Sequence, residues 1–170
     1  TPERTGLVNW IDEAKANNQW VVVGPHMPCL SNGRHGCDKG TDPDVTNLLI
    51  AEGADLVLQG HEHQYTRSHQ VNGTVGRTGI DPVTTNLNIV DTDAQMVQGA
   101  GTVFAIVGNG GHNPRDTTGT PSWVAKTSGR NTSGGITYGF AKVTSDSDSL
   151  DYEFVRTSGG SLQDSFTITR

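Results

Sequence analysis

Apolar residues open the chain in two alternating rhythms. Between residues 5 and 17, Leu7, Val8, Ile11 and Ala14 fall at i, i+1, i+4 and i+7, the spacing of one helix face. Asn17 and Asn18 end that pattern. The run Trp20, Val21, Val22, Val23 follows, short and bounded by turn residues, and predicts a strand buried on both faces, as in a parallel sheet covered by helices. A polar, glycine-rich stretch over 25–42 is long for a connection, which marks it as a functional loop. Asp42 and Pro43 then suit the cap and first turn of a second helix, with Val45, Leu48, Leu49 and Ile50 as its apolar positions and Gly53 as its stop. Asp55, Leu56, Val57 and Leu58 form a second buried strand. Helix, strand, helix, strand is the rhythm of an α/β layer.

The pattern then changes. Residues 76–98 read as polar and irregular, with turn signals at Gly79 and at Asp81 and Pro82. Residues 102–107 form a third apolar strand that runs into Gly108, Asn109, Gly110 and Gly111. After a loop rich in Thr, Ser and Gly, segments 136–143, 150–156 and 165–169 take Phe140, Val143, Tyr152, Phe154, Phe166 and Ile168 as apolar positions. Turn residues between them predict an antiparallel meander. Trp10, Trp20 and Trp123 read as core.

Composition narrows this picture. A chain of 170 residues is one domain's length, and 22 glycines with 32% hydrophobic residues favour strands joined by tight turns. No apolar run approaches the roughly 18 residues of a membrane span. The formal charge is −6, with acids scattered and no basic stripe, which argues against binding a nucleic-acid backbone. An anionic substrate would need something other than bare side-chain charge to hold it, and a metal is the usual answer. The first residue is Thr1 rather than Met, as expected of a processed or excised product.

Candidate chemistry gathers on histidines. His26 follows the first strand, and His61 and His63 follow the second. The carboxyl ends of parallel strands are where α/β proteins place ligands, so two neighbouring strands would deliver three imidazoles to one rim. Gly60 would let the backbone turn sharply enough to aim them. Neutral imidazole suits Zn, Fe, Ni and Cu and suits Mg or Ca poorly. Any one of these histidines alone reads as a wet loop residue; the set at two consecutive strand ends does not.

Residues 20–28 (WVVVGPHMP), followed by 55–67 (DLVLQGHEHQYTR), resemble the last two signature blocks of the calcineurin-like metallophosphoesterases. The Gly-His-x-His-x-Tyr-x-Arg form looks most like the purple acid phosphatase branch, as do the Gly-Gly turn at 110–111 and the closing strands around Phe140 and Phe166. The resemblance implies an α/β fold, the C-terminal half of a four-layer αββα sandwich that closes with antiparallel strands, over residues 1–170. It implies a hydrolase of phosphate monoesters that uses two metal ions (Fe, Zn or Mn) and a metal-bound hydroxide. His26 and His61 would bind one metal and His63 the other, with Tyr65 and Arg67 buttressing the histidine pair. The family's Asp-x-His, bridging-Asp and Asn-His blocks do not occur in this sequence. The expectation is therefore that the N-terminal half of the domain, as a separate or cleaved chain, supplies the remaining ligands and that this chain alone is inactive. A phosphodiesterase acting on nucleotides or phospholipid head groups is the nearby alternative. A non-catalytic domain that retains the fold is the alternative of another class.

The long loop holds two further candidates. His35 lies where some relatives carry a histidine that touches substrate and protonates the leaving group, an exposed loop histidine being the other reading. Arg34 would steady a phosphate oxygen. Cys29 and Cys37 bracket the same loop and read as a disulfide, as two free thiols, or as a zinc site with His26 and His35. The irregular spacing disfavours zinc, and a short-loop disulfide fits a secreted, extracellular or periplasmic protein best. His112 reads as structural, with a place in the cleft as the alternative, and His69 as surface. Asn72 and Asn131 open sequons that matter only if the source glycosylates.

Overall fold

The computed structural model describes residues 1–37, 43–76 and 86–170. Helix α1 (Pro2–Ala16) begins earlier than its apolar pattern, because Thr1 caps it and Pro2 sits in its first turn. Strand β1 (Val22–Val23) leads through the long loop to α2 (Pro43–Ala51) and then β2 (Leu56–Gln59). Asp42, the expected cap of α2, and the turn signals at Gly79, Asp81 and Pro82 lie outside the described residues. No described helix is long and apolar enough to cross a membrane.

Strands β3 (Tyr65–Ser68), β7 (Val103–Val107) and β8 (Val124–Ser128) join β1 and β2 in a five-stranded sheet ordered β1-β2-β7-β3-β8. Within it β1, β2 and β7 run parallel, whereas β3 is antiparallel to both β7 and β8. A second sheet has the order β6-β11-β10-β9. It is built from β6 (Gln95–Val97), β9 (Thr137–Ser145), β10 (Ser149–Gly159) and β11 (Ser165–Thr169). The expected meander is its β9-β10-β11 portion, and β6 adds in parallel to β11. Strands β4 (Gln70–Asn72) and β5 (Asn88–Asp91) make a separate pair.

Period-2 alternation divides the core. On β2 and β7, Val57 and Phe104 face the helices, where they meet Ile11, Leu49 and Ile50. Their neighbours Leu56, Val103 and Ala105 face the second sheet and meet Tyr152, Phe154, Phe166 and Ile168. The layering is helix, sheet, sheet.

Four expectations change. First, β1 is not buried on both faces: it ends its sheet, pairs only with β2, and leaves Val22 43% exposed. Second, residues 76–98 are not wholly irregular, since β5 and β6 form there; β5 is largely exposed and β6 buries only Met96, so neither leaves a hydropathy signal. Third, Trp10 is 70% exposed, at the solvent flank of the Leu7, Ile11 and Ala14 face, although Trp123 is core as expected. Fourth, Phe140 and Val143 are both left exposed on β9, Val143 although it pairs with the buried Tyr152, so the meander contributes its buried face through Leu150, Tyr152, Phe154, Phe166 and Ile168.

Candidate metal centre

Parallel pairing of Val22 with Leu56 and of Val23 with Val57 brings the ends of β1 and β2 side by side. The loops that follow bring two imidazoles together there: the His26 and His61 rings lie 5.3 Å apart, edge to face. The Gly60 amide donates to the His26 carbonyl at 3.0 Å, and a Cβ on Gly60 would stand 3.4 Å from the His26 ring. Gly60 thus permits a close approach. The left-handed turn expected of it falls instead on His61, at φ 62°, a conformation that non-glycine residues adopt rarely and mostly at functional sites.

The loop after β1 folds back to add His35, whose ring lies 4.8 Å from that of His61. Three devices hold it there. Cys29 and Cys37 form a disulfide, which excludes both free thiols and the four-residue zinc alternative. Asn32 is fully buried and its side-chain oxygen accepts from Gln64 at 2.8 Å and from Thr66 at 2.6 Å. Glu62 is the third and carried no expectation from sequence. Its fully buried carboxylate accepts from the His35 amide at 2.5 Å and lies 2.7 Å from His35 Nδ1. Arg115 Nη1 approaches the other carboxylate oxygen at 3.6 Å. A Cβ on Gly33 would come within 2.6 Å of the Glu62 carboxyl carbon, so that glycine clears its place. The one available sequence signal was an acid flanked by two histidines.

A second group stands beside the first. His63 Nδ1 lies 2.9 Å from the Asn113 carbonyl and 3.1 Å from His112 Nδ1, with ring centroids 4.2 Å apart. The carbonyl can only accept, so that contact puts the hydrogen of His63 on Nδ1 and leaves Nε2 free. His112, read from sequence as structural, thus joins His63. Burial first, then the neighbouring charge of His35, hold the His61 imidazole below its ordinary 6.5, so that its lone pair is available at neutral pH.

Tyr65 and Arg67 are not at this site. Both point from β3 toward the second sheet, as residues two apart on a strand must. Arg67 grips Asp164 with two bonds, Nε at 2.7 Å and Nη2 at 2.9 Å, and Tyr65 donates to the same carboxylate at 2.6 Å. They brace the two sheets rather than the histidines. Arg34 is exposed near His35. His69 is half-buried and lies outside the cluster.

The donor set fits a metal that prefers imidazole: ring nitrogens at one rim, with ring orientation fixed by a carboxylate and a carbonyl. It is also incomplete. Among the described residues, no three His, Cys, Asp or Glu side chains form a metal-ligand group.

Comparison with known proteins decides the family. Residues 1–65 match the model for calcineurin-like phosphoesterases, and residues 101–165 match that for iron/zinc purple acid phosphatase-like protein C. The chain belongs to the calcineurin-like phosphoesterases. It is 34% identical over 113 residues to two Mycobacterium tuberculosis proteins, uncharacterized protein Rv2577 of strain H37Rv and uncharacterized protein MT2654 of strain CDC 1551. The match takes in 60% of this chain and 20% of each relative, so the chain spans about a fifth of their length. The fold is shared with purple acid phosphatase PPD1 from yellow lupin seeds, at a TM-score of 0.72 and 20% identity, over all of this chain and 28% of that one. Metallophosphoesterases of this kind use divalent or trivalent metals, and the disulfide fits an oxidising compartment.

Proposed function

We propose that this chain is the C-terminal half of a metallophosphoesterase domain that hydrolyses phosphate monoesters and acts together with the N-terminal half of the same domain. The observation that carries this reading is the convergence of His26, His61 and His35 at the ends of two parallel strands, with His63 and His112 beside them. His26 and His61 hold one ion and His63 the other, with Fe, Zn or Mn as the candidates. Carboxylates of the N-terminal half complete both. Such ions supply Lewis acidity, which activates water at neutral pH and offsets charge on phosphoryl oxygens.

The chain's own residues do the rest. His61, whose pKa burial lowers, offers a lone pair, and the Asn113 carbonyl takes the Nδ1 hydrogen of His63, which leaves Nε2 as its donor nitrogen. Glu62 holds the Nδ1 hydrogen of His35, which leaves Nε2 to pass a proton to the departing oxygen. Arg34 offers its planar fork to a phosphate oxygen. The exposed edge of β1 supports a further chain beside it, and the disulfide supports secretion.

Hydrolysis of p-nitrophenyl phosphate tests the reading. The 170-residue chain alone should show no turnover, and adding the N-terminal half with Fe, Zn or Mn should restore turnover that a chelator abolishes. Metal-independent hydrolysis by the pair, or an enzyme-like rate from this chain alone, would overturn it.

A further inference from the structure

A cavity of about 700 Å³ opens between the two sheets beside β8, within the roughly 300–1,000 Å³ usual for small-ligand clefts. Its walls set Arg67, Lys126 and Arg156 against Asp93, Glu153 and Asp164, so their charges balance. None of His26, His35, His61, His63 and His112 lines it. Two of the wall residues are buried, Arg67 at 3% and Asp164 at 7% exposure. Arg67 spends its Nε hydrogen and one on Nη2 on Asp164, and one on Nη1 on the Ser68 carbonyl, so two of its five N–H groups are left over. His69 lines the same cavity, and its Nδ1 is buried with no hydrogen-bond partner among the described residues. Burial first, then the Arg67 charge, lower the His69 pKa below its ordinary 6.5, while a bond to the Thr92 backbone opposes them. That bond takes the ring hydrogen on Nε2, so Nδ1 presents a lone pair.

We propose that this cavity binds a neutral saccharide of about disaccharide size. Its buried wall offers unspent donors on Arg67 and an unspent acceptor on His69. A hydroxyl answers both from one atom, because it accepts and donates. An ionised carboxylate cannot donate to His69, and an ammonium cannot accept from Arg67. Asp164 already offsets the Arg67 charge at 2.7 Å, so a second anion would gain hydrogen bonds there without net Coulomb attraction. Further out, Asp93, Glu153, Gln163 and Ser165 repeat the mixture of donors and acceptors for successive ring hydroxyls. Ala125, Phe154 and Leu162 add apolar surface for the C–H faces of the rings. The proposal does not draw on the phosphoesterase reading, and either can fail without the other.

Saturation-transfer difference NMR of the purified, chelator-treated protein with cellobiose, maltose and diacetylchitobiose tests this, with glycine and acetate as charged competitors. At least one disaccharide should bind with a Kd at or below about 1 mM, and neither competitor should displace it. His69→Ala and Gln163→Ala should each weaken that binding about three- to tenfold, the effect of one lost hydrogen bond. Arg130→Ala, whose guanidinium bonds Asp116 outside this cavity, should leave it unchanged. Gln163 is exposed, so Gln163→Ala keeps the fold and decides the matter if His69→Ala does not. No saturation of any of the three sugars up to about 10 mM would overturn the proposal. Displacement of the bound sugar by glycine or acetate, or an affinity indifferent to Gln163→Ala, would overturn it equally.

Discussion

Replacing Asp164 by Ala should destabilise the protein severely while leaving the histidine cluster chemically intact. Asp164 lies between the two sheets and accepts two hydrogen bonds from Arg67 and one from Tyr65. Arg67 is 3% exposed, and its guanidinium also stacks 5.1 Å over the Phe166 ring. Burial alone would lower the Arg67 pKa; the Asp164 carboxylate outweighs burial and raises it. Truncation therefore strands a buried cation and takes the acceptor from a buried phenol, a class of change that costs about 3–5 kcal/mol. At roughly 2–4 °C per kcal/mol for a chain of this size, the melting temperature should fall by about 6–20 °C. Thermal unfolding followed by circular dichroism measures it. Replacing both partners, Arg67→Met with Asp164→Leu, should recover most of the loss, because no unpaired charge then remains. A melting point for Asp164→Ala within about 2 °C of the parent would refute the bracing role. So would loss of metal affinity at unchanged stability, since that is what a buttress of the histidines would show.

Three further outcomes follow from the same structure. Burial raises the Asp55 carboxyl pKa above its ordinary 3.8, against the lowering effect of bonds from the Val21 amide and Gln98. The folded state therefore holds that proton more tightly, so stability should decline as pH rises from 3.8 through the raised value, and Asp55→Asn should flatten that slope in denaturant titrations. Glu62→Gln, which keeps one acceptor for the two His35 N–H groups, should lower kcat of the assembled enzyme by about ten- to a hundredfold, and Glu62→Ala by more. Reducing the Cys29–Cys37 disulfide removes a short closed loop and should cost about 2.5 kcal/mol in urea unfolding, with a larger proportional loss of activity because the same loop carries His35.

Much of the fold was legible because its central strands announce themselves. Leu56 to Leu58 and Val103 to Val107 are apolar on both faces since helices cover one side and a sheet the other. Strand β3 was not legible for the opposite reason. Its Thr66, Arg67 and Ser68 are nearly as buried as any leucine, but they are accommodated by hydrogen bonds to Asn32, Asp164 and the Phe104 amide. Hydropathy does not register polar residues whose partners lie some 34 to 97 positions away. The same holds at the site. His26, His61 and His63 could be singled out because strand ends are visible in sequence, whereas Glu62 meets His35 only once the loop after β1 folds back. Tyr65 and Arg67 follow the histidines at the same spacing of two, but they belong to β3 whereas His61 and His63 lie in the turn before it, so the strand's alternation carries them to Asp164 and does not carry over to the histidines.

The account turns on whether these imidazoles bind metal. X-ray absorption at the Zn or Fe edge of the loaded assembly, comparing the parent with His61→Ala, asks this directly. The parent should show imidazole nitrogen at about 2.0–2.1 Å, and the variant should lose part of that shell together with one ion. Metal bound without any imidazole contribution, or a spectrum that His61→Ala leaves unchanged, would contradict the central claim.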